Sequence, residues 1–129
     1  CGPEIDFNIA GVARMDTPPD CQAYLALNGD YLFFEMAVGY KPYGYLALST
    51  CPGRQIELHL HLERFSKTIM RHLESALDEF KAWCRSVGIE QVVTFKVTEH
   101  DPAWARFIQR LGFMEPRPVM VSYLQTGSC

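Results

Sequence analysis

The sequence predicts an α+β fold: a mixed, mostly antiparallel sheet carrying one long and one short helix. Three observations lead there. Apolar residues alternate with polar ones through the first half, the spacing changes to threes and fours from Phe65 onward, and strand chemistry then returns before a second, shorter helical stretch. With 129 residues, 48% of them hydrophobic and 21% charged, the chain is long enough for one packed core and too short for two domains of ordinary size. A single domain over residues 1–129 is therefore expected.

Each element has its own signal. In Glu4 to Ala13, Ile5, Phe7 and Ile9 alternate with Asp6 and Asn8, the period of a half-buried strand, which Gly11 or Thr17-Pro18-Pro19 should end. Cys21 to Leu27 and Tyr31 to Val38 flank Asn28-Gly29-Asp30, and Asn-Gly supplies the positive φ angles of a tight hairpin. A turn over Gly39 to Gly44 then leads to Tyr45 to Thr50, and a Cys51-Pro52-Gly53 break precedes Gln55 to Glu63, so an antiparallel meander is expected. Phe65, Ile69, Leu73, Ala76, Leu77, Phe80, Trp83, Cys84 and Val87 line one face of a long helix, with Ser66 placed to cap its start and Gly88 its end. Ile89 to Val97 is a strand, with Val93, Phe95 and Val97 on one face. Asp101 and Pro102 open the short helix, Trp104, Phe107, Ile108 and Leu111 form its stripe, and Gly112 closes it. Val119 to Leu124 is expected as a closing strand.

Composition narrows the function. Twelve Lys and Arg against fifteen Asp and Glu leave a net charge of −3, no field for holding a polyanion, so nucleic acid is not an expected partner. The apolar runs fall well short of the roughly 20 residues that span a bilayer, so no membrane association is expected. Cysteines at 1, 21, 51, 84 and 129 are odd in number and lack a CxxC pair, which favours neither a disulfide framework nor a zinc ribbon and points to a reducing, cytoplasmic setting. The chain starts at Cys1 with neither Met nor a signal segment, so residues upstream of it are an open expectation.

Asp101 to Phe113, DPAWARFIQRLGF, resembles the segment of GNAT acyltransferases in which an Asn opens a short helix ending as Tyr-x-x-x-Gly-Phe. With Gln55 to Val97, the match spans roughly the second half of the chain. The resemblance implies a sheet splayed between the strands Gln55 to Glu63 and Ile89 to Val97, with acetyl-CoA or another acyl coenzyme A in the gap and an amine as acceptor. It also implies a pyrophosphate site at the start of the long helix, where Arg64, Ser66, Lys67 and Thr68 are the candidate cofactor-binding residues. The family's R/Q-x-x-G-x-G/A pattern keeps Arg64 there, while Lys67 and Ile69 stand where its glycines belong. In the short helix Asp101 replaces the Asn, and Ile108 replaces the Tyr that protonates the leaving thiolate in many members. Tyr45 and Tyr123 are the candidate substitutes.

Glu57, His59, His61 and Glu63 alternate with Leu58, Leu60 and Leu62, so four titratable groups share one strand face. Three readings stand together. Glu57 or His59 can take a proton from a substrate amine, His59 and His61 can share a metal, or the face simply meets solvent while the leucines meet the core. No metal site is favoured. Tyr24, Tyr31, Tyr40, Tyr43 and Tyr45, with Phe33 and Phe34, form either a contact surface for a partner or aromatic stacking across the sheet. Trp83 and Trp104 are expected in the core, His72 and His100 in structural roles, and nothing in the sequence makes Cys84 a nucleophile.

Two function classes follow. One is a GNAT-like acyltransferase moving an acyl group from acyl coenzyme A to an amine, with Glu57 and His59 as the catalytic candidates. The other is a non-catalytic protein of the same fold whose partners are other proteins or its own copies, of the kind that tailed bacteriophages encode and carry in the virion.

Overall fold

The structure is a computed structural model and describes residues 2–21, 24, 27, 30–50, 55–94 and 102–113. Its fold is mixed α+β, with five strands hydrogen-bonded in chain order: β1 (Val12–Met15), β2 (Leu32–Val38), β3 (Lys41–Ser49), β4 (Gln55–Leu62) and β5 (Gln91–Val93). The first four run antiparallel to their neighbours, and β5 joins β4 in parallel. That parallel pairing requires a crossover, which the helix α1 (Lys67–Ser86) supplies. Residues 1–97 form one compact unit and residues 98–129 a second, which contains helix α2 (Pro102–Arg110).

The long helix is capped at Ser66 and closed at Gly88 as its sequence predicts, and the short one runs from Pro102 to its end at Gly112. Phe65, expected on the buried face of the long helix, instead lies before it and is exposed. The Ser66 hydroxyl accepts the Ile69 N–H at 3.1 Å, satisfying one of the donors a helix start leaves without an internal partner. At the other end Gly88 takes φ 82°, Ile89 N–H reaches the Cys84 carbonyl at 2.9 Å and Gly88 N–H the Arg85 carbonyl at 3.4 Å, a Schellman closure. Gly112, at φ 100°, ends α2 by the same two bonds, from Phe113 to Ile108 and from Gly112 to Gln109. Ile108 and Leu111 are buried, whereas Trp104 is only half-buried.

The core of the first unit lies between α1 and one face of the sheet. Ile69, Met70, Leu73, Ala76, Leu77, Phe80 and Cys84 are buried on the helix, and Phe34, Met36, Leu46, Leu48, Ile56 and Leu58 on the strands. Trp83, expected inside, is half-buried and donates from Nε1 to Asp6 Oδ1 at 2.9 Å. An indole N–H at the core edge needs such an acceptor, which the interior does not provide.

The early strands differ from expectation in two places. Residues 2–9 lie in no strand among the described residues, although Ile5, Phe7 and Ile9 are more buried than Glu4, Asp6, Asn8 and Ala10. Period two reports an extended chain with one side covered, and here Phe7 is covered by the rings of Phe34, Phe80 and Trp83 rather than by a neighbouring strand. The strand beside β2 is instead Val12–Met15, paired Val12 with Met36 through Met15 with Phe33.

The second difference is at Cys21 to Leu27, which is wound rather than extended at its described positions. Tyr24 N–H bonds Cys21 and Leu27 N–H bonds Tyr24, each at 3.1 Å. Cys21, Tyr24 and Leu27 share a three-residue spacing that matches this turn. The tight hairpin that closes on β2 is at Gly39-Tyr40, with φ 58° and 67°, where Val38 faces Lys41 and β3 begins earlier than Tyr45. Two consecutive positive φ angles fit the right-handed twist of paired strands. Asn28, Gly29, Phe95, Val97, His100, Asp101 and residues 119–124 lie outside the described residues.

Candidate functional site

Register places the titratable groups of β4 over small and aromatic neighbours. Ser49 faces Glu57, Ala47 faces His59 and Tyr45 faces His61, while Phe33 and Glu35 of β2 face Ala47 and Tyr45. All project away from α1, because alternate strand residues share a face and their neighbours Leu46, Leu48, Ile56 and Leu58 fill the core. A β-bulge interrupts this alternation at Tyr43, where Met36 pairs with Gly44 but Ala37 with Pro42. Tyr43 therefore turns to the helix side and reaches His72 Nδ1 at 2.7 Å, while Tyr45, two residues on, stays with the polar face. His72 has the structural role expected of it: its Nε2–H donates to the Ala10 carbonyl at 2.8 Å, so the Tyr43 hydroxyl is the donor to Nδ1.

The polar face is partly roofed. Two tyrosines from the connection between β1 and β2 lie on it, and neither position follows from the spacing of the residues they meet. Tyr24 is buried, donates its hydroxyl to the Tyr45 carbonyl at 2.7 Å and to the His59 carbonyl at 3.2 Å, and stands edge-on to Phe33 and His61. Tyr31 donates its hydroxyl to Glu57 Oε2, and its ring stands edge-on to that of His59 with centroids 5.6 Å apart. His61 stacks on Tyr45, with the ring planes 13° apart. The only sequence signal for this was the local density of aromatic residues.

Glu57 and His59 are brought together: His59 Nε2 lies 2.8 Å from Glu57 Oε2, with side chains 15% and 25% exposed for His59 and Glu57 respectively. They are sheltered enough to be held in place and open enough to be reached by a ligand. Among the described residues, no group of three or more His, Cys, Asp or Glu could hold a metal ion. The solvent-facing alternative fits only in part, since tyrosines cover much of this face.

Burial, then the hydrogen bond to Glu57, pushes the Tyr31 hydroxyl up to about 12, and burial alone takes Tyr43 to about 12. Tyr24 is raised further by the same desolvation, and burial raises Tyr45 with help from Glu63 and Glu35. These tyrosines therefore favour the folded state in their protonated form. Unfolded tyrosines ionise near 10, so this stability is complete below pH 10 and is lost as pH rises toward about 12. We expect the urea midpoint to fall across that window, and to fall less steeply in Tyr43→Phe; an equal slope in that variant would contradict the assignment. Cys84 is likewise pushed up by burial, to about 11, and is not a thiolate at neutral pH.

At the start of α1 the four cofactor candidates are dispersed in role. Arg64 is exposed and its guanidinium donates to the Pro42 carbonyl at 3.1 and 3.3 Å and to the Lys41 carbonyl at 3.4 Å, tying the loop to the β2–β3 hairpin. The Ser66 hydroxyl serves as the cap, while Lys67 and Thr68 are exposed on the first helical turn. The aromatic residues do not form one surface. Tyr43 and Phe34 are in the core, Tyr24, Tyr31, Phe33 and Tyr45 meet at the polar face, and Tyr40 stands fully exposed at the hairpin tip. Tyr45 is the described one of the two substitute proton donors, and it pairs with His61 rather than with Glu57.

No family model matches the chain, and no curated protein matches it. Among solved structures it is similar to glucosamine-6-phosphate N-acetyltransferase from Arabidopsis thaliana, at 12% identity and a TM-score of 0.49, over 74% of this chain and 68% of that one. No helix among the described residues is long and apolar enough to cross a membrane.

Proposed function

We propose that this chain is a GNAT-like acyltransferase that moves an acyl group from acyl coenzyme A to an amine. One observation carries the reading: the parallel ladder between β4 and β5 ends where the hydrogen-bonded Glu57–His59 pair begins. The ladder joins Gln55, Ile56 and Glu57 to Gln91, Val92 and Val93; Thr94 is already outside the strand, whereas β4 continues to Leu62. An extended acyl thioester would lie beside β4 at that point, next to groups able to accept a proton. Glu35 and Glu57 on the same face, with Glu63 near Tyr45, favour an ammonium over an anionic acceptor.

The start of α1 fits a pyrophosphate in part. Lys67 and Thr68 are available as donors at a helix N-terminus, and Arg64 can join them by exchanging exposed carbonyl bonds of 3.1 to 3.4 Å for a charge-assisted one. Coenzyme A would supply the activated thioester. The chain's own residues would grip its phosphates, orient the amine over β4 and hold the proton that the amine gives up.

A second reading, a non-catalytic protein that keeps the fold for assembly, is favoured by one feature. Arg64 and Ser66 are already engaged with the hairpin and with Ile69, as parts of a fold that needs no ligand would be. Thermal melting with acetyl-CoA separates the two. Ligand at 100 times its dissociation constant stabilises by about 2.7 kcal/mol, so an upward shift is expected, with a smaller one in the double variant Arg64→Ala, Lys67→Ala. No shift at millimolar acetyl-CoA would leave the second reading standing.

A further inference from the structure

Glu57 has two donors on one oxygen. Its Oε2 accepts from the Tyr31 hydroxyl and from His59 Nε2–H, the latter at 2.8 Å. A carboxylate oxygen only accepts, so both neighbours present a hydrogen to it and His59 carries its proton on Nε2. An imidazole whose Nε2 carries the proton has its lone pair on Nδ1, and a carboxylate on the Nε2 side stabilises the imidazolium that forms when Nδ1 is protonated. We propose that Tyr31, Glu57 and His59 form a linked triad in which His59 Nδ1 is the atom that takes the proton, while Glu57 and Tyr31 are positioning residues. That the proton comes from an amine rests on the acyltransferase reading; the arrangement of the three groups does not.

The surroundings support this division of roles. The Tyr31 ring, edge-on at 70° to His59, limits rotation of the imidazole, and the Tyr24 hydroxyl holds the His59 carbonyl at 3.2 Å. Ala47 across from His59 and Val93 across from Glu57 add no charge from β3 or β5. Other ionisable groups lie farther along the face: His61 beside Tyr45 and Tyr24, Glu35 and Glu63 about Tyr45, and Cys21 near Tyr24 and Tyr45. Burial keeps the Tyr31 hydroxyl protonated to about pH 12, so it remains a donor to Glu57 throughout the neutral range.

In the transfer itself, an ammonium gives one proton to His59 Nδ1 and the neutral nitrogen attacks the thioester carbonyl. The C–N bond forms, the C–S bond breaks, and the second proton leaving nitrogen reaches the departing sulfur. His59 then returns its proton to solvent. Amide, free thiol and one proton balance the ammonium and thioester consumed.

The test is a side-chain nitrogen NMR titration of the full chain labelled with 15N, with no cofactor present. On acidification the His59 Nδ1 resonance is expected to make the large protonation shift, while Nε2 stays protonated and gives an N–H signal protected from exchange. That protection should be lost in Glu57→Gln and weakened in Tyr31→Phe, with His61 and His72 unchanged. A purely structural Tyr31 would lower the melting temperature and leave the His59 nitrogens as they were. Protonation at Nε2, or a His59 signal indifferent to both variants, overturns the proposal; should Glu57→Gln fail to fold, Tyr31→Phe and the wild-type titration decide it. If acyl transfer is measurable, Tyr31→Phe should lower kcat about tenfold with KM little changed. If no transfer is found and acetyl-CoA leaves the melting temperature fixed, the function reading falls while the nitrogen assignment still decides the triad.

Discussion

Phe80→Ala is expected to destabilise the protein by about 3 to 5 kcal/mol, a large share of the roughly 5 to 15 kcal/mol that holds a domain of this size folded. Phe80 is 3% exposed on the buried stripe of α1. Its ring stacks on Trp83 with centroids 6.0 Å apart and meets Phe7 edge-on at 5.8 Å, and Phe7 in turn lies 5.2 Å from Phe34. Truncation therefore opens a cavity in the core and also removes a wall against which residues 2–9 are laid. Those residues depend on side-chain contacts because they lie outside the ladder, so the loss cannot be confined to one site. The urea midpoint should fall with the slope unchanged, and Phe80→Leu should lose much less because it fills most of the volume. A loss under about 1 kcal/mol in Phe80→Ala would show that Phe7 is not seated as described.

Glu57→Gln is expected to lower acyl-transfer turnover by about 10² to 10⁴, or about 2.7 to 5.4 kcal/mol in the barrier, while changing stability by less than about 1 kcal/mol. Glutamine keeps the length and an acceptor oxygen, so Tyr31 or His59 retains one bond. It carries no charge to stabilise an imidazolium, and its amide NH2 presents a donor to groups that are themselves donors. Turnover is the quantity that should move, measured in an amine-acylation assay under saturating acetyl-CoA. Unaltered turnover would remove Glu57 from the site.

Local rules account for the parts that were legible. Ser66, Gly88, Pro102 and Gly112 act within a few residues of themselves, through a cap hydrogen bond, a positive φ or a fixed proline φ, so the helix limits could be read directly. The alternation of Glu57 and His59 with Leu58 and Leu60 likewise placed both polar groups on one face, because strand geometry has period two. Where pattern and pairing part company, the reading failed: Ile5, Phe7 and Ile9 have the pattern of a strand and the burial of a strand without its hydrogen bonds. Tyr43 and Tyr45 have equal claims to one face by spacing, and a single bulge separates them.

By itself the sequence determined the α+β class, the limits of both helices, the antiparallel order of β2, β3 and β4, and the face on which Glu57 and His59 lie. Each of these depends on residues close together along the chain. Only the tertiary structure decided that Tyr31, 26 residues from Glu57, would be its hydrogen-bond partner, that Tyr24, 35 residues from His59, would roof the same face, and that Arg64 would be drawn to the Lys41 and Pro42 carbonyls. Such contacts carry no periodicity, because they are chosen by which side chains can satisfy a buried polar group once the sheet has closed.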